Sequence, residues 1–326
     1  MAMIQNPKNY TGHELEEIFF RPVLTGATAE KLGIRVLYNM PMPTAVHLWS
    51  PAGNILKSYK AGWQGGDDDK SVKEVRVIDM KKVKAESAYS ASDYYSLVFE
   101  QLINSGDVNM QDLSGTALEA AETEIFKKAV AESIRMTMWL GDYGSETPYN
   151  TFDGIIKAVS NAVKESEPGI GFFNIESDVT LKNIFNILDG TWKAASHTLR
   201  SYKEEGQLAY FVTNDIYEAY EAYLDNKTAD AAYIEQSAGR PMLHFHGIPL
   251  INIGVGDELK KTNLPKSLCM LSDRRNLVLA VNTADSPETE VRMWYNPDQM
   301  ENRQRAVFLA GATVIDPAMV SVAYKQ

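Results

Sequence analysis

The sequence predicts an α+β fold, with helices and strands interleaved but without the regular alternation of a parallel α/β sheet. Three observations carry this. Two strand-like runs, 45–59 and 72–83, bracket a polar, glycine-rich loop. A long helical pattern fills 117–140. The last third is a series of short apolar strands, at 209–212, 243–250, 268–271, 277–281, 303–308 and 320–324, with one helix at 215–224 among them.

Residues 1–45 hold few periodic patterns and include Pro22, Pro41 and Pro43, so they read as an irregular arm with one helical turn around 14–20. In the first strand pair, alternation puts Val75 and Val77 on one face and Arg76 and Ile78 on the other. The loop between the strands, Ala61-Gly62-Trp63-Gln64-Gly65-Gly66-Asp67-Asp68-Asp69-Lys70, is too polar for a core and predicts a hairpin tip. Trp63 is poorly explained there by its own domain. Large aromatics of this kind are enriched where proteins bury surface against partners.

The helix at 117–140 opens on a capping box, Thr116 with Glu119. Leu118, Ala121, Ile125, Ala129 and Met136 predict its apolar stripe. Glu119, Glu122 and Glu124 near its start and Arg135 near its end match the helix dipole, and Gly141 stops it. At 1.5 Å per residue it is about 35 Å long. A second helix is predicted over 180–203 from Leu181, Ile184, Phe185, Leu188, Trp192, Ala195 and Leu199, with Gly190 as the place where it would break.

Composition bounds the chemistry. The 326 residues suffice for one large domain or two to three small ones, and a hydrophobic fraction of 44% is ample for a core. Forty-three acids against 32 bases give a charge of −11, so overall charge supplies no affinity for phosphate backbones. The lone cysteine, Cys269, rules out an intrachain disulfide and cysteine-rich zinc sites, and its apolar run makes it a small buried hydrophobe. The first residues lack the apolar core of a signal peptide, and the longest nearly apolar run, 306–315, is too short to span a bilayer. A soluble chain made in a reducing cytoplasm is expected.

Catalytic signals are weak. His244 and His246 alternate on a predicted strand and could offer two imidazoles to a metal, but His13, His47 and His197 lie in no metal-binding spacing. Packing or surface roles are the better reading. The three consecutive aspartates lack the spacing of a calcium loop. Gly169-Ile170-Gly171 has no third glycine, and no phosphate-binding lysine motif, nucleophile elbow or H-E-x-x-H occurs. No enzyme, cofactor or metal is expected, and a metal-dependent α+β enzyme acting through His244 and His246 stands as the rival.

The order of these pieces resembles the major capsid proteins of tailed bacteriophages across nearly the whole chain. Gly141-Asp142-Tyr143-Gly144-Ser145 followed by Gly154-Ile155-Ile156 resembles the turn after that family's spine helix. Phe211-Val212-Thr213-Asn214, a helix, then Phe245-His246-Gly247-Ile248-Pro249-Leu250 resembles its axial strand–helix–strand. The run from Arg303 to Phe308, with Pro317-Ala318, resembles its closing strands. The resemblance implies an N-terminal arm (1–45), an extended hairpin loop (46–90), a peripheral domain (91–154, spine helix 117–140), an axial domain (155–285) and a return to the peripheral domain (286–326).

It further implies a phage or prophage shell protein whose hexamers and pentamers tile an icosahedral head around double-stranded DNA, assembled in the host cytoplasm. The expected partners are further copies of the chain, a separate scaffolding protein, a portal, and packaged DNA bound without sequence specificity; no membrane is expected. Contacts between copies fall to the hairpin tip, Trp63, Asp67, Asp68, Asp69 and Lys70, and to an axial loop with Asn226, Lys227 and Arg240. Some members cross-link through a hairpin lysine; Lys57, Lys60 and Lys70 read as ordinary surface lysines. An encapsulin-like compartment shell, which shares the fold but holds cargo enzymes, is the alternative.

Overall fold

The computed structural model describes residues 8–10, 32–38, 44–50, 58–62, 72–90, 117–226, 233–237, 240–282 and 290–325. In chain order these form β1 (Lys8–Tyr10), β2 (Arg35–Tyr38), β3 (Thr44–Ser50), β4 (Val72–Ile78) and β5 (Lys81–Ser90). Next come α1 (Ala117–Leu140), α2 (Ile155–Lys164), β6 (Gly171–Asn174), α3 (Ile184–Ala194), α4 (His197–Ser201), β7 (Leu208–Val212) and α5 (Asn214–Asn226). The remainder is strands: β8 (Tyr233–Ser237), β9 (Arg240–Phe245), β10 (Ile248–Asn252), β11 (Leu268–Asp273), β12 (Leu277–Asn282), β13 (Glu290–Asn296), β14 (Glu301–Val314) and β15 (Val320–Tyr324).

Two mixed sheets organise the α+β fold. The first runs β1-β13-β14-β12-β2, with β5 also paired to the long β14, and the second runs β6-β15-β11-β7-β10-β9-β8. β3 and β4 make a separate antiparallel pair. The largest core joins α1 and α2 to both sheets, through Phe126, Ile134, Trp139, Ile156, Phe211, Phe308 and Tyr324 among others. Trp139 meets Phe211 with ring centroids 5.6 Å apart. A second core packs α3 and α5 on the opposite side of the seven-stranded sheet, around Ile187, Ile216, Tyr220, Tyr210 and Leu271. Covered on both faces, β7, β11 and β15 are buried at every residue, which is why they read as unbroken apolar runs.

Several sequence expectations are corrected. The helix of 117–140 has the predicted bounds, but its buried face is Phe126, Val130, Ile134 and Met138, while Ile125 is 59% exposed. The helix expected over 180–203 ends at Ala194, where Ala195 takes an extended ψ of 140° and the Ser196 hydroxyl accepts from Leu199 N to start α4. Gly190 is not the break; a Cβ there would lie 2.7 Å from the Phe173 ring, so glycine admits close helix–strand packing. The single strand of 243–250 is a hairpin that turns at His246 (φ 53°) and Gly247 (φ 75°). The arm is less irregular than expected, since β1 and β2 join the first sheet.

β12 lies in the six-stranded sheet and β15 in the seven-stranded one, so after β11 the chain crosses to the first sheet and after β14 it crosses back.

Candidate assembly surfaces

The hairpin pair leaves the body at one well-packed root. Ile78 and Met80, 1% and 2% exposed, pack with Leu37, Val278, Ala280 and Ile315. The other face of β4 carries Val75 and Val77 at 53% and 59% exposure, as alternation predicts. An isolated two-stranded pair is marginal in water, and one with bare valines has apolar surface to cover.

Arg76 fastens the root from the side. Its guanidinium donates to both Glu167 carboxylate oxygens, at 3.3 and 2.8 Å. This hydrogen-bonded pairing holds the Glu167 carboxyl below its usual range. A carboxyl depressed in this way stabilises the tether above its ordinary pKa of 4.5 and loses that contribution as pH falls below it. Glu167→Gln is therefore expected to raise hydrogen exchange in 72–78 about two- to five-fold at pH 7, the modest size reflecting solvent screening. Wild-type exchange in the variant would remove the tether.

The long helix α1 is bound to its surroundings at its C-terminal end. Arg135 donates to the carbonyls of Ile253 (3.0 Å) and Gly254 (3.1 Å) and pairs with Glu132. The Tyr149 hydroxyl donates to Glu258 at 2.8 Å, and burial with this bond pushes its pKa up to about 12. At the exit, Gly141 and Gly154 meet backbone to backbone, with Gly154 N donating to Gly141 O at 2.9 Å. A groove of about 510 Å³ lies between α1 and β5, lined by Ile125, Ala129, Ser133, Ala85 and Tyr149 among others.

The far end of the seven-stranded sheet is aromatic. Phe185 (43% exposed) packs on Phe245 and Tyr223, and the His246 ring stacks on Trp192 at 5.4 Å. His246 thus serves a turn and a ring stack. Among the described residues no group of three metal-ligating side chains converges. Cys269 is fully buried, and desolvation pushes its thiol up to about 12, which leaves it without a nucleophile's ionisation. No helix among the described residues is long and apolar enough to cross a membrane.

No protein-family model and no curated protein sequence matches the chain. Solved structures do. A chain of the satellite phage P4 procapsid, which includes the size determination (Sid) protein, superposes with a TM-score of 0.58 at 10% identity, over 94% of this chain and 97% of that one. The capsid of the empty GTA particle gives 0.52 at 11% identity over 92% and 89%, and that of Gordonia phage Cozz 0.51 at 11% over 92% and 88%. The chain has the fold of tailed-phage major capsid proteins.

The predicted contact residues are placed unevenly in this capsid fold. Trp63, Asp67, Asp68, Asp69, Lys70 and Lys227 lie outside the described residues, as does Thr116 of the capping box. Asn226 ends α5 and Arg240 opens β9, on either side of β8 at the edge of the seven-stranded sheet. The sequence carried no signal for the α1–β5 groove, because Ile125 reads there as part of the apolar stripe, nor for the aromatic end of the seven-stranded sheet.

Proposed function

We propose that this chain is the major shell protein of a tailed phage or prophage, closing as hexamers and pentamers into an icosahedral head around double-stranded DNA. The supporting observation is the capsid fold over almost the full length of both chains in the P4 procapsid comparison. The physical case agrees with it. A body whose largest core joins both sheets carries a hairpin whose bare valines need a partner, and repetition by symmetry sums many modest interfaces. In this reading the chain turns over no substrate; its partners are its own copies, a separate scaffolding protein, a portal and the packaged DNA.

The test is expression of the chain alone, with size-exclusion chromatography and negative-stain electron microscopy. Rings, sheets or shells of uniform curvature are expected; a soluble monomer at every concentration, with and without co-expressed scaffolding protein, would contradict the proposal. Nuclease-protected DNA in particles from infected or induced cells separates a phage head from an encapsulin-like compartment. Trp63→Ala is expected to impair particle formation while leaving circular dichroism unchanged. Normal particles from that variant would refute its anchoring role.

A further inference from the structure

A run of aromatic rings beside α3 stays open to solvent. Centroid to centroid, Tyr223 of α5 lies 6.2 Å from Phe185, Phe185 5.5 Å from Phe245, Phe245 4.3 Å from His246 and His246 5.4 Å from Trp192. Leu181 and Phe185 are 42% and 43% exposed, and His246 is exposed at its turn. Single exposed apolar residues are ordinary, but a connected strip of them is the kind of surface that partners cover. Lysines rim this strip. Lys203 sets its ammonium 6.0 Å from the Trp192 ring, and Lys182 lies three residues before Phe185, both exposed. Among the described residues no carboxylate lies within ion-pair distance of either; Asp178 is held by Lys325 and Asp189 by Lys193. Glu176 and Glu204, the neighbouring acids in sequence, make no ion pair with them, and Glu204 leaves the 202–205 turn about 120° round from Lys203.

The outer side of α5 carries the opposite charge. Ile216, Tyr220 and Leu224 are buried, whereas Glu218 and Glu221 are exposed and, among the described residues, have no cation within ion-pair distance. At about 100° per residue they stand roughly 140° and 160° round the helix from Tyr223, the residue that meets Phe185. Acids on that side of α5 do not turn back to lysines on the α3 side. We infer that the strip beside α3, with Lys182 and Lys203, receives the Glu218–Glu221 side of α5 from a second copy of the chain. Charge complementarity names the occupant, since each surface carries the charge the other lacks and neither is neutralised within one chain. Because the two surfaces differ, the contact is head-to-tail and repeats from copy to copy, as a ring requires. The inference rests on the proposed self-association and deepens it by naming one of its contacts.

The test is sedimentation velocity of full-length chains at low salt, with two charge reversals: K182E/K203E on the strip and E218K/E221K on α5, each with wild-type circular dichroism. Either reversal alone sets like charge against like and is expected to weaken association about ten-fold or more. Mixing the two reversed chains is expected to recover it, because every contact in an alternating arrangement again joins opposite charges. Alternation closes only in even numbers, so electron microscopy of the mixture should show even-membered rings alone. If a double reversal misfolds, K203Q and E218Q provide the milder comparison, with a loss of about two- to three-fold. In the wild-type chain, hydrogen exchange over 181–193 and 217–224 should slow on association. Undiminished association of both reversed chains, or no recovery on mixing, would overturn the inference. So would a wild-type chain that stays monomeric to about 100 µM. A single-stranded oligonucleotide binding with Lys203 dependence, where E218K/E221K leaves association unchanged, would instead assign the strip to nucleic acid. Normal shells from the K182E/K203E chain would end this contact and leave the shell reading; recovery on mixing in chains that never form rings or shells would do the reverse.

Discussion

Gly154→Ala is expected to destabilise the protein by about 3 kcal/mol or more, enough to lose most folded material at 37 °C. The reason is space. A Cβ at Gly154 would lie 2.6 Å from Gly141 N and 2.8 Å from the carbonyl oxygens of Thr137 and Trp139. These are backbone atoms at the end of α1 and cannot rotate aside as a side chain could. Gly141 is closed in from the other direction, by the carbonyls of Phe152 and Thr137. The two glycines let the chain leave α1 and start α2 within one hydrogen-bonded crossing, and Trp139 and Phe152, both fully buried, depend on that path. Thermal unfolding followed by circular dichroism tests this, with exposed Ser133→Ala as the control. A wild-type midpoint for the glycine variant would disprove the close approach.

Asn276→Ala is expected to cost about 2–3 kcal/mol, because one buried side chain satisfies two half-buried backbone groups that truncation would leave unpaired. Its Nδ2 donates to Asp316 O at 2.8 Å and its Oδ1 accepts from Asp316 N at 2.8 Å. Its own carbonyl accepts from Ile315 N at 3.0 Å. Asn276 stands where the chain passes from β11 to β12, and Asp316 where it passes from β14 to β15. The amide thus pins the two crossings between sheets to each other. Urea unfolding should show a lower midpoint with an unchanged m-value, and an unchanged midpoint would sink the argument. Asn276→Asp should fare almost as badly, since it sets a carboxylate against the Asp316 carbonyl.

Much of the architecture was legible, and the misses have physical causes. The bounds of α1 could be read because a 24-residue pattern ending at Gly141 outweighs local noise. Its buried face could not, because Glu119 and Glu122 sit among the buried positions while apolar Ile125 and Ala129 face the groove. The His246-Gly247 turn was hidden by the apolar residues on both sides, and a histidine with positive φ is rare enough to defeat a composition-based reading. The Ala195–Ser196 break carried a signal, the serine cap, that helical spacing on both sides masked. Membership of a sheet was not legible for β12 and β15, since a fully buried strand shows no alternation to say which neighbour it faces. Of the surfaces, Val75 and Val77 followed from period-two alternation, whereas the ring strip beside α3 needed the fold to bring α5 and the β9–β10 turn against it.

The double crossing between sheets also constrains how such a protein can change by inheritance. Because β11 and β15 complete one sheet while β12 and β14 complete the other, no single cut in the last third yields two segments that each keep a whole sheet. Recombination between related genes at such a point would pair strands from two ancestries in both layers at once. Lineages carrying this arrangement are thus expected to exchange the region as a block, and to vary instead through the sequences that project from it.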